Sequence, residues 1–146
     1  MFFASRLPLY ILLVVFAASC GSKRNNGEAI FLTARNDRGI AISSDIDRTD
    51  LRDKAMVIAC ATCHGEDRLG RRDPIPDLGP FSTPDISPAA LSQPVEGRRP
   101  AYTRELLANA LLNGRGANGR GLHYPMPRWK LDEKDLGDLS RFLLRK

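Results

Sequence analysis

Cys60-Ala61-Thr62-Cys63-His64 constrains this chain more than any other stretch. Two cysteines two residues apart, followed at once by histidine, form the attachment signature of c-type haem. The two thiols reach the two vinyl groups of a porphyrin and become thioethers. The next side chain, His64, then lies under the iron as its proximal ligand. The chain holds only three Cys and two His, so chance placement of such a cluster is improbable. Two other chemistries share the Cys-x-x-Cys spacing. A redox dithiol of the thioredoxin type sits in a βαβ setting, and the sequence shows no such alternation. A structural zinc site needs four ligands, which leaves Cys20 and His123 as the remaining candidates. His123 is distant in sequence, and Cys20 has another use.

That use lies at the N-terminus. Met1–Arg6 carries one cation, and the apolar run Leu7–Ala18 is too short to span a bilayer comfortably. It reads as the hydrophobic region of a signal peptide. The run ends in Ala17-Ala18-Ser19-Cys20-Gly21, which resembles the lipobox of bacterial lipoproteins, although Ala17 stands where Leu is usual. Cys20 is the expected lipidation site, and several acyl chains there anchor a protein to a membrane. Every cysteine is then assigned, and no disulfide is expected. The net charge of +5, from 22 basic and 17 acidic residues, is mild. No helix carries a basic stripe and no aromatic platform is visible, so nucleic acid is not an expected partner.

After a polar tether, Ala29–Thr33 and Ile40–Ser43 are short apolar runs around Asn36-Asp37-Arg38-Gly39 and predict a β-hairpin. Asp50 is placed to cap a helix from Leu51 to about Thr62. Residues 65–97, rich in Pro, Gly, Asp and Ser, are expected to be irregular. Thr103 caps an amphipathic helix with Leu106, Leu107, Ala110 and Leu111 on one face and Gly114 past its end. Asp132 caps the last helix, with Leu136, Leu139, Phe142 and Leu143 as its buried stripe. The chain divides into a signal peptide at 1–19, a lipid-anchored tether at 20–28, an N-terminal hairpin extension at 29–49 and a haem domain at 50–146.

Iron held by His64 needs a sixth ligand, and His123 and Met126 are the candidates downstream. Met126 lies in Tyr124-Pro125-Met126-Pro127, where two prolines stiffen the loop. A thioether suits an electron-transfer haem and raises its potential, so Met126 is the preferred ligand and His123 the second.

With Cys60-Ala61-Thr62-Cys63-His64-Gly65, Met126-Pro127 and Leu131-Asp132-Glu133-Lys134-Asp135-Leu136 in place, the chain resembles the class I c-type cytochromes of bacteria. The likeness covers roughly Asp50 to Lys146. It implies a mostly α fold of three to four short helices wrapped around one covalent haem c. Pro76-Asp77-Leu78 is similar to the family's Pro-x-Leu; the resemblance implies that the Pro76 carbonyl accepts the Nδ1–H of His64 and that Leu78 packs on the haem. The family usually places a small Gly and an aromatic on its first helix where the last helix crosses. The corresponding positions here are Arg52 and Met56, which implies a looser crossing or one shifted toward Ala55.

The expected function is a one-electron carrier, not an enzyme, on the periplasmic side of the bacterial cell envelope. It would act as a monomer or within a respiratory complex. The haem subunit of a membrane-associated dehydrogenase or oxidase is the second reading, and a haem-based sensor the third. Arg68, Arg71, Arg72, Arg98, Arg99, Arg115, Arg120, Arg128 and Lys130 lie between the haem motif and the final helix. They form either a basic rim that steers an acidic redox partner or a scatter of solvated charges.

Overall fold

The computed structural model describes residues 25–46, 58–72 and 82–145. The segment 1–24, which holds the expected signal peptide and Cys20, lies outside the described residues, as do 47–57 and 73–81. The described chain forms α1 (Asn26–Thr33), α2 (Cys60–His64), α3 (Pro88–Ser92), α4 (Arg104–Asn113) and α5 (Glu133–Leu144). Among the described residues there is no sheet, only isolated antiparallel bridges.

The expected hairpin is half right. Asn36–Gly39 does turn the chain back, with Gly39 at φ 77° and its N–H on the Asn36 carbonyl at 2.9 Å. The first arm, however, is helical. Asn25 caps α1 by accepting the Glu28 N–H at 2.9 Å, and Ala34 ends it at φ 50°. The buried positions Gly27, Ile30, Phe31 and Ala34 follow the helical spacing i, i+3, i+4, i+7. The contiguous run Ala29–Thr33 masked that period, because a short apolar stretch fits a strand equally well. Over the described residues 26–46 the chain therefore packs into the fold and is not a free tether. It is a wall of the core, where Ile30 and Phe31 are buried with Leu139 and Leu143 of α5.

Arg52 and Met56, where the crossing was expected, lie outside the described residues; the described crossing on α5 is made by Gly27 and Phe31 of α1. A Cβ at Gly27 would overlap the Asp138 carbonyl, so glycine is what lets α1 lie on α5. One turn on, the rings of Phe31 and Phe142 meet at 5.5 Å between centroids. Polar groups finish the joint. Asp135 is 2% exposed. Its carboxylate accepts the Asn26 amide at 2.8 Å and the Asn36 amide at 3.0 Å. A buried carboxylate persists where it is so bonded.

α4 and α5 form as their sequences dictate, whereas Asp50 and most of the helix expected from Leu51 to about Thr62 lie outside the described residues and α2 begins only at Cys60, after the extended Ala59. The Thr103 hydroxyl accepts the Leu106 N–H at 3.3 Å, and Gly114 closes α4 at φ 63°. Asp132 accepts the Asp135 N–H at 2.7 Å. Within the stretch expected to be irregular, Ser87 caps α3 and Pro88 opens it, two start signals that the loop-like composition hid.

Candidate functional site

α2 is one short helix, and it carries the whole motif. Cys60, Cys63 and His64 line a cavity of about 360 Å³ whose other walls are almost entirely apolar. Leu107 and Leu111 of α4 and Leu143 of α5 face it, together with Ile86, Met126 and Trp129. The amphipathic faces read in the sequence are thus turned toward this space as well as toward each other.

Burial sets the state of the motif's side chains. It pushes the Cys60 thiol up to about 12; a local backbone hydrogen bond opposes it and the neighbouring Cys63 adds to it. It raises the Cys63 thiol as well, against the Arg71 charge. Unmodified, both stay protonated at neutral pH, the reverse of the depressed thiol of a redox dithiol. Among the described residues no group of three or more His, Cys, Asp or Glu converges in a way that could hold a metal ion on its own. Burial also lowers His64, with the hydrogen bond to the Pro84 carbonyl working against it. The imidazole is neutral at pH 7.

His64 Nδ1 lies 3.1 Å from the Pro84 oxygen. A carbonyl only accepts, so Nδ1 carries the proton and Nε2 keeps its lone pair for a metal. This acceptor corrects the implied role of Pro76. Pro76 and Leu78 lie outside the described residues; Pro84 takes the bond, and Ile86 lines the cavity. The chain holds the pattern Pro-Asp-apolar twice, at 76–78 and 84–86. What selects the second is Thr83. Its hydroxyl donates to the Cys63 carbonyl at 2.6 Å and accepts the Arg71 N–H at 2.8 Å. Gly70, at φ 81°, leaves no room for a Cβ against Thr83 and Pro84. The segment 82–86 is thereby held against the motif.

Arg68 closes the same side. It is a non-glycine residue at φ 68°. Its guanidinium donates to the Phe142 carbonyl at 3.1 Å and lies 4.7 Å from the Phe142 ring centroid. Its own carbonyl accepts the Ile86 N–H at 2.8 Å.

Both candidates for the sixth ligand line the cavity. Met126 is partly buried and packs against the core. His123 is exposed, and its Nδ1 bonds the Tyr124 carbonyl. Trp129 is 5% exposed on the cavity wall. Arg128 donates to the carbonyls of Met126 and Leu122. Of the nine cations expected around a rim, Arg68, Arg99 and Arg128 are spent on internal carbonyls.

The residues fit a haem. Two thiols stand one helical turn apart beside a neutral imidazole, in an apolar space, with a thioether on the same walls. The buried Trp129 Nε1–H finds no acceptor in the protein among the described residues, a donor suited to a carboxylate edge of such a group. Cys60 and Cys63 would hold the porphyrin, and His64 would ligate the iron.

Thr83, Pro84, Gly27 and Phe31 were missed in the sequence. The signal for the last pair was a Gly and an aromatic four apart at helical spacing; for the first pair it was the repeated Pro-Asp-apolar pattern. Neither the curated proteins nor the solved structures yield a match to the chain. The family model for cytochrome c matches residues 53–145, well over half of the chain. With that match, the helical fold and the motif in its apolar cavity, the chain belongs to the cytochrome c family and carries covalent haem c.

Proposed function

We propose that this cytochrome is a one-electron carrier of the bacterial cell envelope, with His64 and Met126 as axial ligands and an anchor at a lipidated Cys20. One observation carries the reading: His64 and Met126 line a single apolar cavity. When bound, the haem supplies a metal centre that passes between ferric and ferrous states. The protein's part is to hold its own groups still. Pro84 fixes the His64 tautomer and ring angle, and strengthens the imidazole as a donor. Pro125 and Pro127 stiffen the backbone on either side of Met126. The leucine walls exclude water, which keeps reorganisation small when charge changes. Were His64 and Met126 both to hold the iron, no position would be left for a substrate, and the chemistry would be that of a carrier.

The cations Arg71, Arg72, Arg98, Arg120 and Lys130 are exposed and available to steer an acidic redox partner, and Arg115, exposed as well, donates to the Gly119 carbonyl. Expression in a host that matures c-type cytochromes, with and without Met126→Ala, tests the core of this reading. The wild type should stay red through acid–acetone extraction and show the charge-transfer band of methionine-ligated ferric haem. The variant should lose that band and keep its colour. A wild type without that band, with a spectrum that Met126→Ala leaves unchanged, would move the ligand to His123. Membrane recovery that survives Cys20→Ser would remove the lipid anchor.

A further inference from the structure

The loop that presents Met126 is closed by one side chain. It leaves α4 at Gly114 and Arg115–Gly121, passes Leu122 and His123, and returns at Pro127. The Arg128 guanidinium donates to the Leu122 carbonyl at 3.1 Å and to the Met126 carbonyl. It therefore grips both ends of the segment that carries the thioether. Its planar fork fills the space over Gly114, where a Cβ would overlap the guanidinium itself. Gly114 also holds the loop's start, since its carbonyl accepts the Leu122 N–H at 2.7 Å. The backbone of Arg128 is pinned in turn. Its N–H donates to the Asp45 carboxylate at 2.7 Å, and its carbonyl accepts the Asp45 N–H at 3.0 Å. Next to it the Trp129 N–H reaches the Leu111 carbonyl of α4 at 2.9 Å. The arginine is thus anchored to the N-terminal segment and to α4 on one side and to the methionine loop on the other.

We infer that Arg128 is the positioning residue of the Met126 ligand, a latch whose two hydrogen bonds keep the thioether on the iron. The inference rests on Met126 being the ligand. A cation made for steering would stand free in solvent; this one has its donors on backbone carbonyls. Lysine cannot replace it, because one ammonium lacks the fork that spans two carbonyls.

The test uses the matured ferric holoprotein and imidazole as a competing ligand. Three variants are compared with wild type: Arg128→Lys, Arg128→Gln and, as a control for loss of a nearby surface charge, Arg120→Ala. Without the latch the Met126–iron bond opens more readily. The Lys and Gln variants should then bind imidazole at least about tenfold more tightly, weaken the methionine charge-transfer band and lower the reduction potential. Arg120→Ala should match wild type. Lysine retains the charge and long aliphatic stem, so failure of both variants to fold is not expected; the thermal midpoint of each is read alongside. Met126→Ala separates the two claims. If it loses the band while Arg128→Lys and Arg128→Gln bind imidazole as wild type does, the latch is wrong and the ligand assignment stands. If Met126→Ala keeps the band, the ligand assignment fails and the latch falls with it.

Discussion

Replacing Gly27 by alanine sets two effects of opposite sign against each other. Alanine is the better helix former, by up to about 1 kcal/mol in a helix interior. On propensity alone α1 would gain. The crossing decides otherwise. The new Cβ would lie 2.7 Å from the Asp138 carbonyl carbon and 2.8 Å from the Phe142 Cβ, and closer still to the Asp138 oxygen. None of these is the free end of a flexible side chain, so α1 must move off α5 as a body. Overpacking of this kind costs about 1–3 kcal/mol. The shift also opens the Phe31–Phe142 contact, a further loss of about 0.5–1.5 kcal/mol. The net expectation is a destabilisation of roughly 0.5–3.5 kcal/mol. Guanidinium denaturation of the holoprotein, followed by far-UV circular dichroism, reads this as a lower midpoint at unchanged slope. Gly121→Ala is the control: a Cβ there meets nothing within 4 Å, and its effect should stay within about 0.5 kcal/mol. A Gly27→Ala protein as stable as wild type or more so, beside a neutral control, would refute the crossing.

Three further outcomes are expected. Asp135→Ala strands the Asn36 amide in the joint, while Asn26 keeps its bond to Asp138 at 2.9 Å, and should lower stability by about 1–3 kcal/mol in a thermal melt; no measurable loss would mean that water already serves the amide. Thr83→Val removes the pin between Cys63 and Arg71. It should cost about 1–2 kcal/mol and, by loosening the Pro84–His64 bond, raise the reduction potential; an unmoved potential would show that Thr83 does not position Pro84. The Asp138 carboxyl is held down from the ordinary 3.8 to about 2, first by the Asn26 amide and then by Arg141 and Lys134. A depressed value stabilises the fold above the ordinary range and is lost as pH falls through about 2. The stability gap between wild type and Asp138→Asn should therefore be full above pH 4 and shrink toward pH 2, measured by denaturation at each pH. A gap independent of pH would mean that the charge contributes nothing.

The parts of this protein that were legible in its sequence are those set by local rules. The haem motif fixes chemistry by spacing alone. The caps at Thr103 and Asp132 announce α4 and α5, because a side-chain oxygen three residues ahead of an N–H is a local event. What was not legible depended on choices made at a distance. Ala29–Thr33 reads as a strand until Phe142 is available for Phe31 to meet. Pro76 and Pro84 are equivalent on paper; only the Thr83 hydroxyl and the bare Cα of Gly70 rank them. Arg128 reads as one more surface cation, and nothing nearby in sequence says that its fork will find two carbonyls.

The joint between Asn26 and Asp135 joins positions 109 apart. Closing a chain loop of that length costs about 4 kcal/mol in entropy, so the two terminal helices are poor candidates to meet first. The closures of α3 and α4 onto α5 span shorter loops and cost less, so the chain has cheaper contacts to make before this one.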